Sequence, residues 1–414
     1  MSILVINIIV QQHAEEAAFL WLLRDAAVRA PHYSLKDLAR LDGRVEAHLD
    51  GLRVAGEAGW EICAQQLAHE EPGEVFAATV LAFESGDNGR TRSAVEAGCR
   101  SGDAFRGLIS GLGWIAWPQL DLWMQRLLGS AVPAYRRIAI AASAIHRRDP
   151  GPALAAAVND ADALLRARAL RAAGELKRHD LLAGLRRHLQ DDDPGCRFWA
   201  AWAAALLNDP QGIAALQPWV ETASPFRERA LQLVLRAMDS RAALGWIGAF
   251  AGAPGLARIG VLGTGIIGDP AGVPWLIRQL ERPELARLAG EAFTLITGVD
   301  LADQDMEGEW PEGFAAGPGE NPQDPDVAMD ADEDLPWPDP ARVAAWWDRH
   351  QGGFQPGTRY FLGQPIDIPH LHRVLVHGRQ RQRRAAALEL ALREPEVPLF
   401  ETRAPGFLQQ RRLA

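Results

Sequence analysis

Seven arginines fall on one period: Arg106, Arg136, Arg166, Arg197, Arg227, Arg258 and Arg287, at intervals of 30, 30, 31, 30, 31 and 29 residues. Each follows an apolar or small residue: Phe105, Tyr135, Leu165, Cys196, Phe226, Ala257 and Ala286. Three positions after each arginine stands Ile109, Ala139, Ala169, Ala200, Ala230, Val261 or Gly290, a column of mostly small side chains. A fixed period near 30 marks stacked helix pairs, each of which buries its apolar face only against the next. The chain is therefore expected to be an α-solenoid. Such an architecture offers a long surface to a partner more readily than one deep catalytic pocket.

The clearest unit runs from Asp180 to Asp209. Leu181, Leu182, Leu185 and Leu189 form the stripe of a first helix, and Asp191-Asp192-Asp193-Pro194-Gly195 makes the turn. A second helix follows from Arg197 to Leu207, with Ala200, Ala201, Ala204 and Leu207 facing inward. Asp149-Pro150-Gly151, Asp209-Pro210-Gln211-Gly212 and Gly268-Asp269-Pro270-Ala271-Gly272 recur at helix ends, where Asp caps the next helix and Pro suits its first turn. One period before Arg106 lies Phe76, so Glu74 to Ala78 reads as a degenerate first unit.

Asp192 and Asp193 before Arg197 and Ala200-Ala201, with Gly268-Asp269-Pro270 before Val273-Pro274 and Leu276, resemble HEAT-like repeats, in particular the short variety of bilin-lyase-type HEAT proteins. The fold class implied is all-α: a HEAT-like right-handed α-solenoid of about seven to eight helix pairs, with a helical N-terminal cap and a small mixed C-terminal segment. The flanking stretches His13 to Trp21, Leu38 to Asp42 and Arg379 to Ala386 resemble an uncharacterised bacterial family of about 400 residues, some of whose members are encoded near type VI secretion genes. That resemblance implies a genomic context and carries over no catalytic residue.

Composition shifts divide the chain. Residues 1–55 lack the repeat and read as a capping helical region, in which Ser34 can cap a helix carrying Leu35, Leu38, Leu41, Val45, Leu49 and Leu52. The short apolar run Ile3 to Val10 reads as a buried strand or helix start, too short to span a bilayer. Residues 56–299 hold the repeats. Residues 300–340 hold 14 acidic and no basic residues and read as an acidic, Pro/Gly-rich linker, either disordered or a loosely packed loop, mobile and dispensable for folding. Residues 341–414 hold 12 arginines against 6 acids and read as a basic C-terminal segment. There, Gly357 to Gly363 is expected to be a short strand, and His370 to Leu392 one or two helices with Gly378 as a break. The two charged stretches are expected to attract, the acidic one shielding the arginines of the tail.

The ladder arginines have two readings. They form a track for phosphates or carboxylates, or they bind turn carboxylates and carbonyls of their own and neighbouring repeats. The second is favoured, because the planar guanidinium donates several bonds at once. Asp103, Asp162, Asp192 and Glu284 are the carboxylates available to it. Trp199, Trp202, Trp246 and Trp275 are candidate partner anchors, with core packing the favoured alternative for each. Arg379, Arg381, Arg383 and Arg384 stand near a helix start, where cations oppose the helix dipole. Either an anionic partner compensates them or the helix begins earlier, near Pro369.

Catalytic, cofactor and metal constellations are absent from the sequence: no GxSxG, P-loop, GxGxxG or HExxH stands in it. Cys63, Cys99 and Cys196 are isolated and fit a reducing cytoplasm. Gly260 to Gly265 reads as helix packing, Asp330 to Asp334 as a solvated run rather than a metal loop, and His370, His372 and His377 lack a completing carboxylate. The expected role is non-catalytic: a scaffold, adaptor or chaperone that grips another protein, such as a secreted effector or spike component, in the cytoplasm. The alternatives are a bilin-lyase-like enzyme and a nucleic-acid-binding HEAT protein. Near neutrality of residues 1–299 argues against nucleic acid, and no segment is long and apolar enough to argue for a membrane.

Overall fold

The computed structural model describes residues 6–250, 253, 255–318, 323 and 329–414. Among them the fold is all-α, apart from one hairpin in which Tyr360–Phe361 pairs antiparallel with Gln364–Pro365. That hairpin lies where the short strand was expected. The chain gathers into two compact units, residues 1–212 with 375–414, and residues 213–374.

In the first unit, α1 (Asn7–Ala27), α2 (Leu35–Ala55) and α3 (Glu57–Gln66) precede the repeats. The repeats follow as α4 (Pro72–Ser85), α5 (Asn88–Gly98), α6 (Gly102–Trp114), α7 (Trp117–Leu128), α8 (Pro133–Ile145), α9 (Pro152–Ala157), α10 (Ala163–Glu175), α11 (Leu182–Arg187) and α12 (Pro194–Leu206). Alternate helices α4, α6, α8, α10 and α12 pack each on the next, and α1 packs on α4. The small-residue column makes this approach possible: Ala139, Ala169 and Ala200 are fully buried. At Gly107 the backbones come so close that a Cβ would stand 2.1 Å from the Pro72 carbonyl oxygen. Ser34 caps α2 through a capping box with Asp37, as its position suggested. The start of α1 corrects one expectation. Residues 1–5 lie outside the described residues, and Ile6, Ile8 and Ile9 are exposed rather than buried.

Helix α13 runs Pro210–Glu221. The second unit continues with α14 (Arg227–Ala237), α15 (Ser240–Gly248), α16 (Ala257–Ile267), α17 (Val273–Gln279), α18 (Pro283–Thr297) and α19 (Pro340–His350). Helices α14, α16 and α18 again pack in a row. The glycine-rich run lies inside α16, where Gly263 and Gly265 meet Ile247 and Ala292.

The acidic stretch departs from its reading as a linker. Of residues 300–340, 319–322 and 324–328 lie outside the described residues. The rest is packed. Leu301, Met306 and Leu335 are buried. Trp310, Phe314 and Trp337 cluster with ring centroids 5.0–5.7 Å apart. The Gly308 amide donates to the Trp337 carbonyl at 2.8 Å, and the Asp339 amide to that of Met306 at 2.8 Å. These apolar residues follow no helical or strand period, so periodicity could not reveal them.

Residues 357–363 cross two helix ends of this unit. Gly268 and Gly298 close α16 and α18 with φ of 74° and 75°. The Tyr360 amide donates to the Gly268 carbonyl at 2.8 Å, and that of Leu362 to Leu295 at 2.7 Å. A Cβ on Gly268 would lie 2.2 Å from the Tyr360 oxygen. Gly268→Ala should therefore lose about 1–2 kcal/mol from the left-handed backbone alone, and more from displacing the segment. Thermal unfolding checks this, and an unchanged midpoint would contradict it.

The chain then forms α20 (Ile368–His377), α21 (Gln380–Arg393) and α22 (Gly406–Leu413), with the break falling at Gly378 as expected. Residues 375–414 are an integral part of the first unit. Helix α22 packs on α2. The Gln380 amide donates to the Tyr33 carbonyl at 2.7 Å, and the Leu399 amide to that of Glu175 at 3.0 Å.

Candidate functional site

Four of the seven ladder arginines repeat one hydrogen-bond motif. Arg136, Arg166 and Arg197 each donate from Nη1 to the carbonyls six and five positions earlier: Ser130 and Ala131, Asp160 and Ala161, Asp191 and Asp192. Arg227 does the same with Glu221 and Thr222, using Nη2 and Nε. Two of them also hold a carboxylate of the next turn. Arg136 reaches Asp160 at 2.7 Å, and Arg166 grips Asp191 with both arms at 2.9 and 3.0 Å. The carboxylates are thus Asp160 and Asp191, not the expected Asp162 and Asp192. Asp162 instead caps α10 through the Leu165 amide. Burial opposes ionisation of Asp191, but Arg166, the Asp193 amide and His188 hold it down at about 2.

The last two arginines turn to the acidic stretch. Arg258 binds Asp332 bidentately at 2.6 and 2.7 Å. Arg287 pairs with Asp330 at 2.6 Å and donates to the Asp332 carbonyl at 2.9 Å, its guanidinium lying over the Trp310 and Trp337 rings. The run read as solvated therefore supplies two carboxylates to packing. The shielding expected of the acidic stretch, residues 300–340, falls in part outside the described residues. Arg197→Ala should lower stability by about 1 kcal/mol, since it frees only turn carbonyls. Arg166→Ala should lose about 1–3 kcal/mol because it also strands Asp191. Urea unfolding of the two variants gives the comparison, and equal losses would contradict the geometry.

The candidate partner residues are scattered by burial. Trp202 is buried, and Trp199 is half-buried edge-on to it at 5.5 Å. Arg171 lies over the Trp199 ring at 4.8 Å. Trp246 is half-buried and donates to Glu221 at 3.3 Å, and Trp275 packs on the core of the second unit. In the tail, Arg383 is fully buried and donates to the Leu375 carbonyl, Gln380 and Gln409, so its expected partner role is withdrawn. Arg379 and Arg381 donate at 3.0 Å to the carbonyls of His32 and Arg29, and Arg384 is half-buried. The helix does start here, with Arg379 at its cap. The carbonyls of His32 and Arg29 thus face the Arg379 and Arg381 cations at this helix start. His370 is buried with Nε2 bonded to the Phe361 carbonyl at 2.7 Å.

A second periodic column went unread in the sequence. Arg147, Lys177 and Asn208 follow α8, α10 and α12 in left-handed conformation, with φ of 57°, 58° and 62°. Each reaches the C-terminal residues: Arg147 the Leu399 carbonyl, Lys177 that of Ala391 at 2.6 Å, Asn208 that of Leu392 at 3.1 Å. Burial pushes the Lys177 ammonium down to about 8. The spacing of 30 and 31 was available as a signal, but side chains this different do not announce a shared role.

Beneath residues 401–405 the first unit forms a half-open cavity of about 310 Å³. Arg24, Arg106, Arg168, Arg171 and Arg403 line it, with Phe105 and Trp114 among its apolar walls and Glu401 as its carboxylate. Helices α6 and α10 supply five of these eight residues: Phe105, Arg106 and Trp114 from the first, Arg168 and Arg171 from the second. Behind the wall, Glu175 pairs with Arg171 at 2.7 Å and Arg168 at 3.1 Å. Burial opposes its ionisation, but Arg171 and Arg168 hold it down at about 2. This carboxylate thus contributes stability that is complete above its ordinary 4.5 and is lost as pH falls through about 2. The stability gap between wild type and Glu175→Gln should close across that window, as read by urea unfolding at stepped pH. A gap independent of pH would contradict it.

No helix among the described residues is long and apolar enough to cross a membrane. No curated protein matches the chain. Residues 151–236, which hold Arg166, Arg197 and Arg227 with their turn carbonyls, match the family model described as HEAT repeats, and over this stretch the chain carries HEAT-like repeats.

Proposed function

We propose that the protein is a non-catalytic interaction scaffold, an α-solenoid of HEAT-like repeats that holds another protein. The carrying observation is that the repeat's most regular polar feature, the arginine ladder, is mostly engaged in turns. Its conserved geometry from repeat to repeat builds a surface rather than a reaction centre, and HEAT repeats commonly serve protein interaction. Trp199, half-buried beside Arg171, is the anchor this reading favours on the repeat face. The resemblance of the flanks to a family encoded near type VI secretion genes directs the search for a partner to secreted effector or spike components in the cytoplasm.

The test begins with the full chain as bait in its native host, with mass spectrometry of what is retained. Each enriched protein is then purified and mixed with the chain. A complex of fixed stoichiometry by light scattering, weakened by Trp199→Ala, supports the reading. Failure of every enriched protein to rebind in purified form overturns it, as does turnover of a small substrate by the chain alone.

A further inference from the structure

We infer that the cavity beneath residues 401–405 binds a small organic anion, a carboxylate or phosphate carried on an aromatic or apolar body. The first ground is charge. The five lining guanidinium groups, with Arg147 beside them, meet four carboxylates, Asp25, Asp42, Glu175 and Glu401. Two positive charges are left in excess in a partly desolvated space, where an anion is the natural counter-charge. Asp103, which also faces Arg106 at 3.4 Å, is 72% exposed and is screened by water.

The second ground is the donors. Arg106 is the ladder member that donates no hydrogen bond to its turn or to any other described residue, and its buried Nε has no hydrogen-bond acceptor. Its nearest carboxylate oxygens are Asp103 at 3.4 Å and Asp25 at 3.6 Å. Arg171 uses Nε on Glu175 and leaves both Nη groups for another acceptor. Arg403 uses Nη2 on Asp25, leaving Nε and Nη1. Planar forks of this kind match the two oxygens of a carboxylate or phosphate. The third ground is shape. Phe105 and Trp114 stand in the same walls, and about 310 Å³ is at the small end of ligand cavities. Because residues 401–405 form one wall, a bound anion also ties this segment to α6 and α10.

The test uses the full chain in titration calorimetry with phenyl phosphate, benzoate, inorganic phosphate and, as the cationic counterpart, benzylamine. One equivalent of phenyl phosphate or benzoate is expected to bind, the tighter of the two identifying the anionic group. Inorganic phosphate should bind more weakly, since it leaves the aromatic wall uncovered, and benzylamine should not bind. Arg106→Gln, which removes no hydrogen bond from the fold, should weaken binding about ten-fold or more, the worth of one charge-assisted hydrogen bond. In the unmodified chain, the bound anion should protect Arg106 and Arg171 from phenylglyoxal, a readout that does not depend on a variant folding. Absence of saturable binding by either aromatic anion, equal affinity in Arg106→Gln, equal binding of benzylamine, or unprotected arginines would each overturn the assignment.

Discussion

Replacing Arg24 with alanine should lower the unfolding free energy by about 3–5 kcal/mol, the loss seen when one partner of a buried ion pair is removed. Arg24 and Asp42 are 4% and 0% exposed and meet at 3.0 Å. The pair also fastens the C-terminal residues. Arg24 donates to the Arg403 carbonyl at 2.6 Å, and Asp42 accepts from the Gly406 amide at 2.5 Å. Loss of the guanidinium leaves a buried carboxylate with one donor and frees residues 401–406. Urea unfolding measures the loss, and limited proteolysis reports the released segment. Arg24→Met combined with Asp42→Leu should recover much of the stability, because two apolar side chains fill the space without leaving a charge. A loss below about 1 kcal/mol in the single variant would mean that the pair is unimportant.

Arg287→Ala is expected to be of similar size, about 3–5 kcal/mol, in the second unit. The Arg287 side chain is 4% exposed and holds Asp330, the Asp332 carbonyl and the faces of Trp310 and Trp337. Without it, Asp330 loses its partner and the tryptophan cluster loses the cation between its rings. Residues 300–318 should then become the first site of proteolysis, whereas in the wild-type chain they resist. Rapid cleavage of the wild-type chain there would restore the linker reading and sink this prediction.

The fold was legible where one side chain repeats with one job. The period of the arginines located the second helices, and the small column three residues later located their contacts, because stacked helices need both at fixed spacing. The short helices and caps followed from Ser34, the Asp-Pro turns and the break at Gly378. The acidic stretch was misread because composition reports average charge. Its packing rests on two particular pairs, Arg258 with Asp332 and Arg287 with Asp330. The tail was misread for a related reason: a cation at a helix start is unfavourable by local rules, and the carbonyls of His32 and Arg29 that compensate it lie some 350 residues away in the chain.

The candidate site divides in the same way. Arg106 was visible in the sequence as a ladder member, and nothing local distinguished it from Arg136. Arg168, Arg171 and Arg403 carried no signal. The sequence by itself determined the helical repeat, its period and the residues on its buried face, because those depend on contacts between neighbours about 30 residues apart that recur in every unit. Only the tertiary structure decided where residues 375–414 return, which arginines meet carboxylates and which keep open donors. Those pairings join segments hundreds of residues apart and occur once each, so no periodicity records them.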